Sequence, residues 1–321
     1  MAYKVVITDC PWEDISIERE VLSEIGADLV RFQCKSPEEV IAAAQDADGL
    51  LVGWAPITRD VIRSLSRCRI LVRYGVGYDN VDVAAATEAG IAAANNPDYC
   101  VEEVATHSLA MMLACHRQMF PLAADLRRGI WDPMATMKPM PRLSGQTLGI
   151  IGFGRMGRHL AAMARGLVSR VLVYDPLVAQ TQMDVKLADL DTVLAKSDYV
   201  SIHAPLIEET RHLFNAERIA RMKPGSFLIN CSRGPIIDEG ALVDALQKGI
   251  LGGAALDVFE TEPLPQDHPL RAFPNVIITP HAAWYSATAD VELRAKPARK
   301  VRDYLIGKSV ELLNPELRSR A

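Results

Sequence analysis

Three glycines, Gly152, Gly154 and Gly157, form the clearest chemical motif in the chain. They follow a short apolar stretch that ends at Ile151 and precede a predicted helix over residues 158–167. A G-x-G-x-x-G pattern between a strand and a helix predicts a dinucleotide-binding loop. Gly152 would permit the tight turn, Gly154 would let the backbone approach a pyrophosphate, and Gly157 would let the helix pack closely on the strand.

The residues around this loop extend the prediction to a particular cofactor. The backbone amides of Arg155 and Met156 would face the anion at the positive end of the helix. Asp175 lies at the end of the next predicted strand, where its carboxylate could accept hydrogen bonds from both ribose hydroxyls. Its charge would repel a 2′-phosphate, and no Arg or Lys lies between Asp175 and Gln182 to bind one. The sequence therefore predicts NAD rather than NADP.

Polar side chains also follow several predicted strands without an evident structural need. The segments are 73–80, 230–238, 254–263 and 279–281. Because the carboxyl ends of the strands in a doubly wound sheet form the ligand crevice, all four segments would point toward that crevice.

Three residues of these segments suit hydride transfer between a nicotinamide and a carbonyl carbon. His281 could donate a proton to the developing alkoxide, Arg233 could hold the substrate, and Glu262 could orient and charge the imidazole. Taken alone, the histidine could be structural, the arginine could cap a helix and the glutamate could be exposed. Together with the glycine motif they predict one active site.

The elements that would position these residues alternate between β-branched runs and helical patterns. About five strands fall in the first hundred residues, and six more lie between Thr147 and Ile278. A long helix is predicted from Val101 to about Arg128, followed by an irregular loop over residues 129–142, and a last helix over residues 287–306. The fold class is therefore α/β, with two doubly wound parallel sheets.

Composition excludes several other classes of protein. The chain has 321 residues, which favours two domains, and its net charge of −5 without a basic block argues against a nucleic-acid ligand. The six cysteines are widely spaced, so we predict buried thiols in a reducing cytoplasm and no metal site. No apolar run is long enough for a membrane span, and the N-terminal run is too short for a signal peptide.

The segments 152–157, 230–238 and 257–281 together resemble the D-isomer-specific 2-hydroxyacid dehydrogenase family, and the likeness extends over essentially the whole chain. The resemblance implies that Arg233 grips the substrate carboxylate and carbonyl, His281 exchanges the proton, and Glu262 tunes His281. It further implies an NAD-dependent reaction between a small 2-keto acid and a D-2-hydroxy acid.

The family likeness also implies roles for residues outside this triad. Asp257 would hold the nicotinamide carboxamide and Cys231 would lie along the cofactor. The amides of Val76 and Gly77 would bind the substrate carboxylate.

The family likeness further implies how the chain divides. Residues 1–102 and 289–321 would form a flavodoxin-like substrate domain, and residues 103–288 would form the Rossmann NAD domain, with the active site in a cleft between them. The helix from Val101 and the loop after it resemble the family's dimerisation region, so a homodimer is expected.

Within the family, residues 73–80 and 281–286 most resemble the branch that includes the C-terminal-binding-protein corepressors. In that branch the residue like Trp284 lines the substrate pocket, and the residue like Arg73 adds a second positive contact. An indole would favour an apolar substrate tail, although Trp284 could also be an ordinary core aromatic. Two alternatives stay open: an NAD(H)-sensing binding protein like the corepressors, and a dehydrogenase of the phosphoglycerate or hydroxypyruvate type.

Overall fold

The structure is a computed structural model that describes residues 2–317. The strands are β1 (Lys4–Ile7), β2 (Asp28–Arg31), β3 (Gly49–Val52), β4 (Ile70–Arg73), β5 (Ala92–Ala94), β6 (Thr147–Ile151), β7 (Arg170–Tyr174), β8 (Lys186–Leu187), β9 (Tyr199–Ile202), β10 (Phe227–Asn230), β11 (Gly253–Leu256) and β12 (Val276–Ile278). The α-helices are α1 (Ser16–Ser23), α2 (Pro37–Ala44), α3 (Arg59–Ser64), α4 (Val83–Glu88), α5 (Val101–His116), α6 (Met119–Arg127), α7 (Pro133–Thr136), α8 (Arg155–Ala164), α9 (Leu190–Lys196), α10 (Ala216–Ala220), α11 (Glu239–Gln247) and α12 (Ala287–Leu305). Short 3-10 helices occupy Leu143–Gly145, Glu208–Thr210, Gly234–Ile236, Pro269–Ala272 and Pro315–Leu317.

The chain divides into two units, residues 1–100 with 286–321, and residues 101–285. Residues 1 and 318–321, which belong to the predicted substrate domain, lie outside the described residues. The predicted α/β class with two parallel sheets is confirmed, because all strand pairs in both sheets are parallel.

The first unit contains a five-stranded sheet in the order β2-β1-β3-β4-β5. This is the strand order of flavodoxin-like folds, in which the order reverses between the first and third strands. The strands β3, β4 and β5 are buried along their whole length, as expected of parallel strands covered by helices on both faces. The core between the sheet and α2, α3 and α4 is made of aliphatic residues such as Val40, Val61 and Leu71.

The helix α12 completes the first unit from the far end of the chain. Its Arg294 donates to the carboxylate of Glu18 at 2.9 Å, and both side chains are almost fully buried. The Tyr74 hydroxyl donates to the same carboxylate at 3.3 Å, and the guanidinium of Arg294 lies over the ring of Trp12. Because a buried charge is costly unless it is paired, this cluster fixes α12 to α1 and β4.

The second unit contains a seven-stranded sheet in the order β12-β11-β10-β9-β6-β7-β8. Read from β6, the order is the one that defines dinucleotide-binding Rossmann folds, with a reversal between β6 and β9. In this register Ile151 pairs with Tyr174 on one side and with Ile202 on the other, so the carboxyl ends of three strands lie level. The loop after β6 therefore emerges at the reversal point.

Four details differ from the sequence prediction. The predicted long helix from Val101 to Arg128 is wrong, because Gln118 adopts a left-handed conformation at φ 50° and separates α5 from α6. The helix after the glycine loop begins at Arg155 rather than Arg158. The loop over residues 129–142 contains the short helix α7, and the two-residue strand β8 adds a seventh strand to the second sheet.

All six cysteines are buried thiols. Across residues 2–317, no helix is both long and apolar enough to cross a membrane.

Candidate functional site

The glycine loop lies between the fully buried strand β6 and helix α8. Gly152 has φ +92°, and a side chain there would approach within 2.7 Å of the backbone of His203 and Ala204. A side chain on Gly157 would clash with the carbonyl oxygen of Gly152. Both positions therefore require glycine, the first for the turn and the second for the close approach of helix and strand.

The space beside Gly154 is what a bound pyrophosphate would need. Nothing lies within 4 Å of the position that a side chain on Gly154 would occupy. Arg155 and Met156 are the first residues of α8, where backbone amides lack acceptors within the helix and the helix dipole is positive. This loop therefore fits an anion such as the pyrophosphate of a dinucleotide.

Asp175 is held beside the same loop. One of its carboxylate oxygens accepts a hydrogen bond from the amide of Phe153 at 2.7 Å, and the other accepts from the amide of Leu177 at 2.9 Å. The carboxylate follows β7 directly and is half-buried. The structure thus places an acidic group next to the loop, where the hydroxyls of an adenine ribose would be recognised.

His281 and Glu262 form a direct pair. The Nδ1 atom of His281 lies 2.7 Å from Oε2 of Glu262, and each side chain is 35% exposed. His281 has a left-handed backbone conformation at φ 51°, which is uncommon for a residue with a side chain and is found at functional sites. Because Nδ1 is engaged by the carboxylate, Nε2 is the ring nitrogen left to exchange a proton with a substrate.

The environment of Glu262 keeps its carboxylate charged. Burial raises the pKa of this group, but the hydrogen bond and charge of His281, the amide of Phe259 at 2.9 Å and the charge of Arg233 together outweigh burial. The net effect lowers the pKa of Glu262. An ionised carboxylate on Nδ1 favours a protonated imidazole, which is the form that can donate a proton from Nε2.

Arg233 is positioned by the end of strand β10. The side-chain amide of the fully buried Asn230 donates to the carbonyl of Arg233 at 2.9 Å, and its oxygen accepts from the amide of Ser232 at 3.0 Å. The half-buried guanidinium donates to the carbonyl of Ser232 at 2.9 Å. The charge of Arg233 contributes to the lowered pKa of Glu262.

Asp257 holds the loop that carries the histidine. Its fully buried carboxylate accepts from the hydroxyl of Thr279 at 2.5 Å and from the amides of Ala282 and Ala283 at 2.9 and 2.8 Å. Its carbonyl accepts from the amide of His281 at 2.8 Å. These four bonds explain how an unusual backbone conformation is maintained at His281. The expected contact of Asp257 with a nicotinamide carboxamide stays a prediction.

Two other predicted site residues of this unit lie close to hydrophobic neighbours. The Cys231 sulfur is 3.7 Å from the sulfur of Met111, and burial raises the pKa of Cys231 to about 12, so the thiol stays protonated. Trp284 is half-buried and contacts Tyr285 edge to face, with the ring centroids 5.5 Å apart.

The remaining predicted residues belong to the first unit. Arg73 is buried at the end of β4, and its guanidinium lies 5.7 Å from the ring centroid of Trp54. Val76 and Gly77 follow in a half-buried loop, in which the side-chain amide of Asn95 donates to the carbonyl of Val76 at 2.6 Å. This unit therefore presents a cation and a short stretch of backbone at the end of one strand.

Sequence reasoning missed residues that act over long separations. The buried Asp9, after β1, accepts from the amides of Gly53, Trp54 and Ala55, and so fixes the exposed Trp54 at the order reversal of the first sheet. An acidic residue at a strand end was the available signal.

Three further histidines have side-chain partners. His116 lies 2.7 Å from the hydroxyl of Tyr199, His212 pairs with Glu260, and His268 pairs with Glu239. Within residues 2–317, no group of three His, Cys, Asp or Glu side chains could hold a metal ion.

Comparison with known proteins assigns the class. Residues 109–283 match the family described as D-isomer specific 2-hydroxyacid dehydrogenase, NAD binding domain. The chain belongs to this family, which confirms the resemblance found in the sequence. It contains an NAD-binding domain of the Rossmann type.

Individual relatives carry different substrate names. The chain is 38% identical over 279 residues to a glyoxylate reductase of Korarchaeum cryptofilum, which covers 84% of this chain and 82% of that protein. It is 36% identical over 297 residues to a D-3-phosphoglycerate dehydrogenase of Synechocystis sp., covering 89% of this chain. The chain spans only 53% of the length of that dehydrogenase.

A solved structure supports the fold over the whole chain. The D-lactate dehydrogenase of Aquifex aeolicus, complexed with NAD and lactic acid, is similar with a TM-score of 0.84 and 28% identity. The similarity covers 98% of this chain and 97% of that chain.

Proposed function

We propose that this protein is an NAD-dependent D-2-hydroxyacid dehydrogenase that interconverts a small 2-keto acid and the corresponding D-2-hydroxy acid. The observation that carries the proposal is the 2.7 Å pair of His281 and Glu262 beside the charge of Arg233, within an NAD-binding domain. The names of the relatives support the same reaction class, since glyoxylate and lactate are both 2-oxygenated acids.

His281 acts as the acid and base. In the reductive direction its Nε2–H donates the proton to the carbonyl oxygen of the substrate, and in the oxidative direction Nε2 accepts it back. Glu262 fixes Nδ1 and stabilises the positive charge that the imidazole carries before donation. Bound NADH supplies the hydride.

Arg233 acts as the substrate anchor. A planar guanidinium can bind the carboxylate and the neighbouring carbonyl oxygen of a 2-keto acid together, and this polarises the carbonyl carbon. In the first unit, Arg73 would add a second cation and the amides of Val76 and Gly77 would bind the carboxylate.

The proposed cofactor residues all lie in the second unit. Gly152, Gly154, Arg155, Met156 and Gly157 would hold the pyrophosphate of NAD. The ribose would bind Asp175, while Cys231 and Asp257 would lie near the nicotinamide. The fully buried Asp257 would reach the carboxamide only if one of its oxygens accepted a further bond, because both already have donors.

The test is the oxidation of NADH by the purified protein with a panel of 2-keto acids. Glyoxylate, pyruvate, hydroxypyruvate, phenylpyruvate, 2-ketobutyrate and its methylthio derivative sample small, polar and apolar tails. Turnover of one of them, abolished in His281→Ala, supports the dehydrogenase, and the preferred tail shows whether Trp284 forms an apolar wall. Tight binding of NADH without turnover of any acid would instead favour the NAD(H)-sensing alternative.

The corepressor-like branch is a separate proposal that rests on the sequence of residues 281–286 and 73–80.

A homodimer is proposed from the likeness of residues 101–142 to a dimerisation region, and the high exposure of Trp131 (85%) and Met134 (79%) supports it. Light scattering of the purified protein measures the assembly directly. A cytoplasmic location stays a prediction.

A further inference from the structure

A second histidine–carboxylate pair lies beside the loop that carries Glu262. The Nε2 atom of His268 is 3.1 Å from Oε2 of Glu239, with the two side chains only 19% and 9% exposed. Glu239 is the first residue of α11 and directly follows the residue that caps this helix, Asp238. Burial of a carboxylate in this way is unfavourable unless its oxygens are bonded, so the position calls for a specific partner.

That partner is the backbone of the Glu262 loop. The Oε1 atom of Glu239 accepts a hydrogen bond from the amide of Glu260 at 2.7 Å. The preceding amide, that of Phe259, donates to Oε1 of Glu262 at 2.9 Å. The consecutive amides of Phe259 and Glu260 therefore donate to two different carboxylates. The Phe259 amide bonds to Glu262, three residues along the chain, and the Glu260 amide bonds to Glu239, in α11.

The same peptide also packs against Gly234. A side chain at Gly234 would overlap the carbonyl of Phe259 and lie 2.5 Å from the nitrogen of Glu260, so backbone packs directly against backbone. Gly234 is the neighbour of Arg233 in the chain. The peptide between Phe259 and Glu260 thus contacts both the segment that carries Arg233 and the carboxylate of Glu239.

The side chains of Glu260 and Glu239, which flank this peptide, pair with two different histidines. Glu260 extends its side chain to His212 at 2.5 Å, whereas Glu239 faces His268. Burial raises the pKa of Glu239, and the Glu260 amide and His268 counteract that effect. The Glu239 carboxylate thus accepts from one backbone amide and has one imidazole partner. Of the carboxylates of Glu239, Glu260 and Glu262, it is Glu262 that is bonded to the imidazole of His281.

We propose that Glu239 is a positioning residue for the acid–base pair, because it holds the Phe259–Glu260 peptide against Gly234 and so sets where Glu262 meets His281. The proposal rests on the proposed function for its kinetic consequence. Its structural content, the placement of Glu262 by Glu239, does not depend on which substrate the enzyme uses.

Four variants test the proposal. Glu239→Ala removes the acceptor, Glu239→Asp withdraws it by about 1.5 Å, and Glu239→Gln keeps an oxygen for the Glu260 amide. Asp198→Ala is the matched control, because Asp198 also gives one oxygen to a backbone amide, that of Thr147 at 2.8 Å, and the other to a cation, Lys223 at 2.6 Å. If Glu239→Ala does not fold, Glu239→Asp provides the same comparison.

Two kinds of measurement apply to each folded variant. Steady-state kinetics over a range of pH give kcat, the KM for NADH and the midpoint of the pH profile. Nuclear magnetic resonance of ¹³C-labelled histidine follows the titration of His281 itself, with its signal assigned by its loss in His281→Asn.

We expect Glu239→Ala and Glu239→Asp to lower kcat by about tenfold to a hundredfold with an unchanged KM for NADH, since small displacements of a catalytic group have effects of this size. The pH midpoint and the His281 titration should both move to lower pH. Glu239→Gln should stay near the wild type, and Asp198→Ala should leave both midpoints in place even if it unfolds more easily.

An unchanged His281 titration in folded Glu239→Ala or Glu239→Asp would overturn the proposal, as would a Glu239→Gln variant as impaired as Glu239→Ala. If the wild type reduces none of the acids, the proposed function fails, but the resonance experiment still decides whether Glu239 positions Glu262.

Discussion

Replacement of Glu262 by glutamine isolates the charge that this residue provides to His281. The amide can still accept a hydrogen bond from Nδ1 at the observed 2.7 Å, so the geometry of the pair is retained while the negative charge is lost. Two unit charges about 4 Å apart at an effective dielectric constant near 20 interact by about 4 kcal/mol. Because both side chains are 35% exposed, solvent screening reduces the useful part to about 1.5 kcal/mol.

An energy of that size corresponds to about a tenfold change in rate. Reduction of the keto acid needs the protonated imidazole, so the rate falls as the pH rises through the midpoint of the profile. In Glu262→Gln this basic limb should begin at lower pH, and the reductive rate above the midpoint should fall by up to about tenfold. Oxidation of the hydroxy acid needs the neutral imidazole, so its acidic limb should also move to lower pH.

The assay is kcat/KM in both directions from acid to mildly basic pH, with Asp198→Asn as the control for loss of a carboxylate elsewhere in the same unit. A displacement of both limbs toward lower pH identifies a change of charge. A uniform loss in both directions at every pH would refute the electrostatic reasoning and indicate displaced groups. Profiles that coincide with those of the wild type would show that Glu262 does not influence the proton transfer.

Three further changes probe the same unit. His281→Ala should lower kcat by about two to four orders of magnitude through loss of the general acid, with NADH binding retained by fluorescence titration; near-normal turnover would remove His281 from the role. Asp175→Ala should lower the preference for NAD over NADP in kcat/KM because the repulsive carboxylate is lost, and an unaltered ratio would mean that the ribose is recognised elsewhere. Burial lowers the pKa of His203 to about 4. As the pH falls below about 6.5, His203 therefore takes up a proton in the unfolded state but stays neutral in the folded state. The free energy of unfolding should therefore fall toward acid by about 1.4 kcal/mol per pH unit from this residue. Urea unfolding of His203→Gln should show a shallower decline than the wild type, and parallel declines would contradict the assignment.

The sequence was most informative where local pattern decides structure. Short β-branched runs such as Val5–Ile7 and Leu148–Ile151 predicted strands of both sheets, because parallel strands buried on both faces are apolar throughout. The glycine loop was also predictable, since close backbone approach and a positive φ at Gly152 both require the same residue type.

Errors arose at a helix break and at the shortest strand. The φ of 50° at Gln118 ends one helix and begins another, and Pro121 was the available signal, because its missing amide disfavours a continuous helix but is tolerated in the first turn of α6. The strand β8 has only two residues and pairs with β7 alone, which is too short for a periodic pattern.

The candidate site shows the same division. Arg233, Glu262 and His281 could be inferred because their residue types match the chemistry of one reaction. Glu239 escaped notice, because its partners Glu260 and His268 lie far along the chain and only the folded structure brings them together. The contacts that hold a reactive group in place are difficult to predict from a single sequence.

The helix α12 has a consequence for how the protein is made. The strands β1 to β5 all emerge from the ribosome early, but Arg294, the buried counter-charge of Glu18, follows nearly two hundred residues after β5. Residues 101–285 form a unit that is continuous in the chain and can acquire its structure first. During synthesis the first unit therefore lacks both the counter-charge of Glu18 and the helix α12 until residues 101–285 have been made.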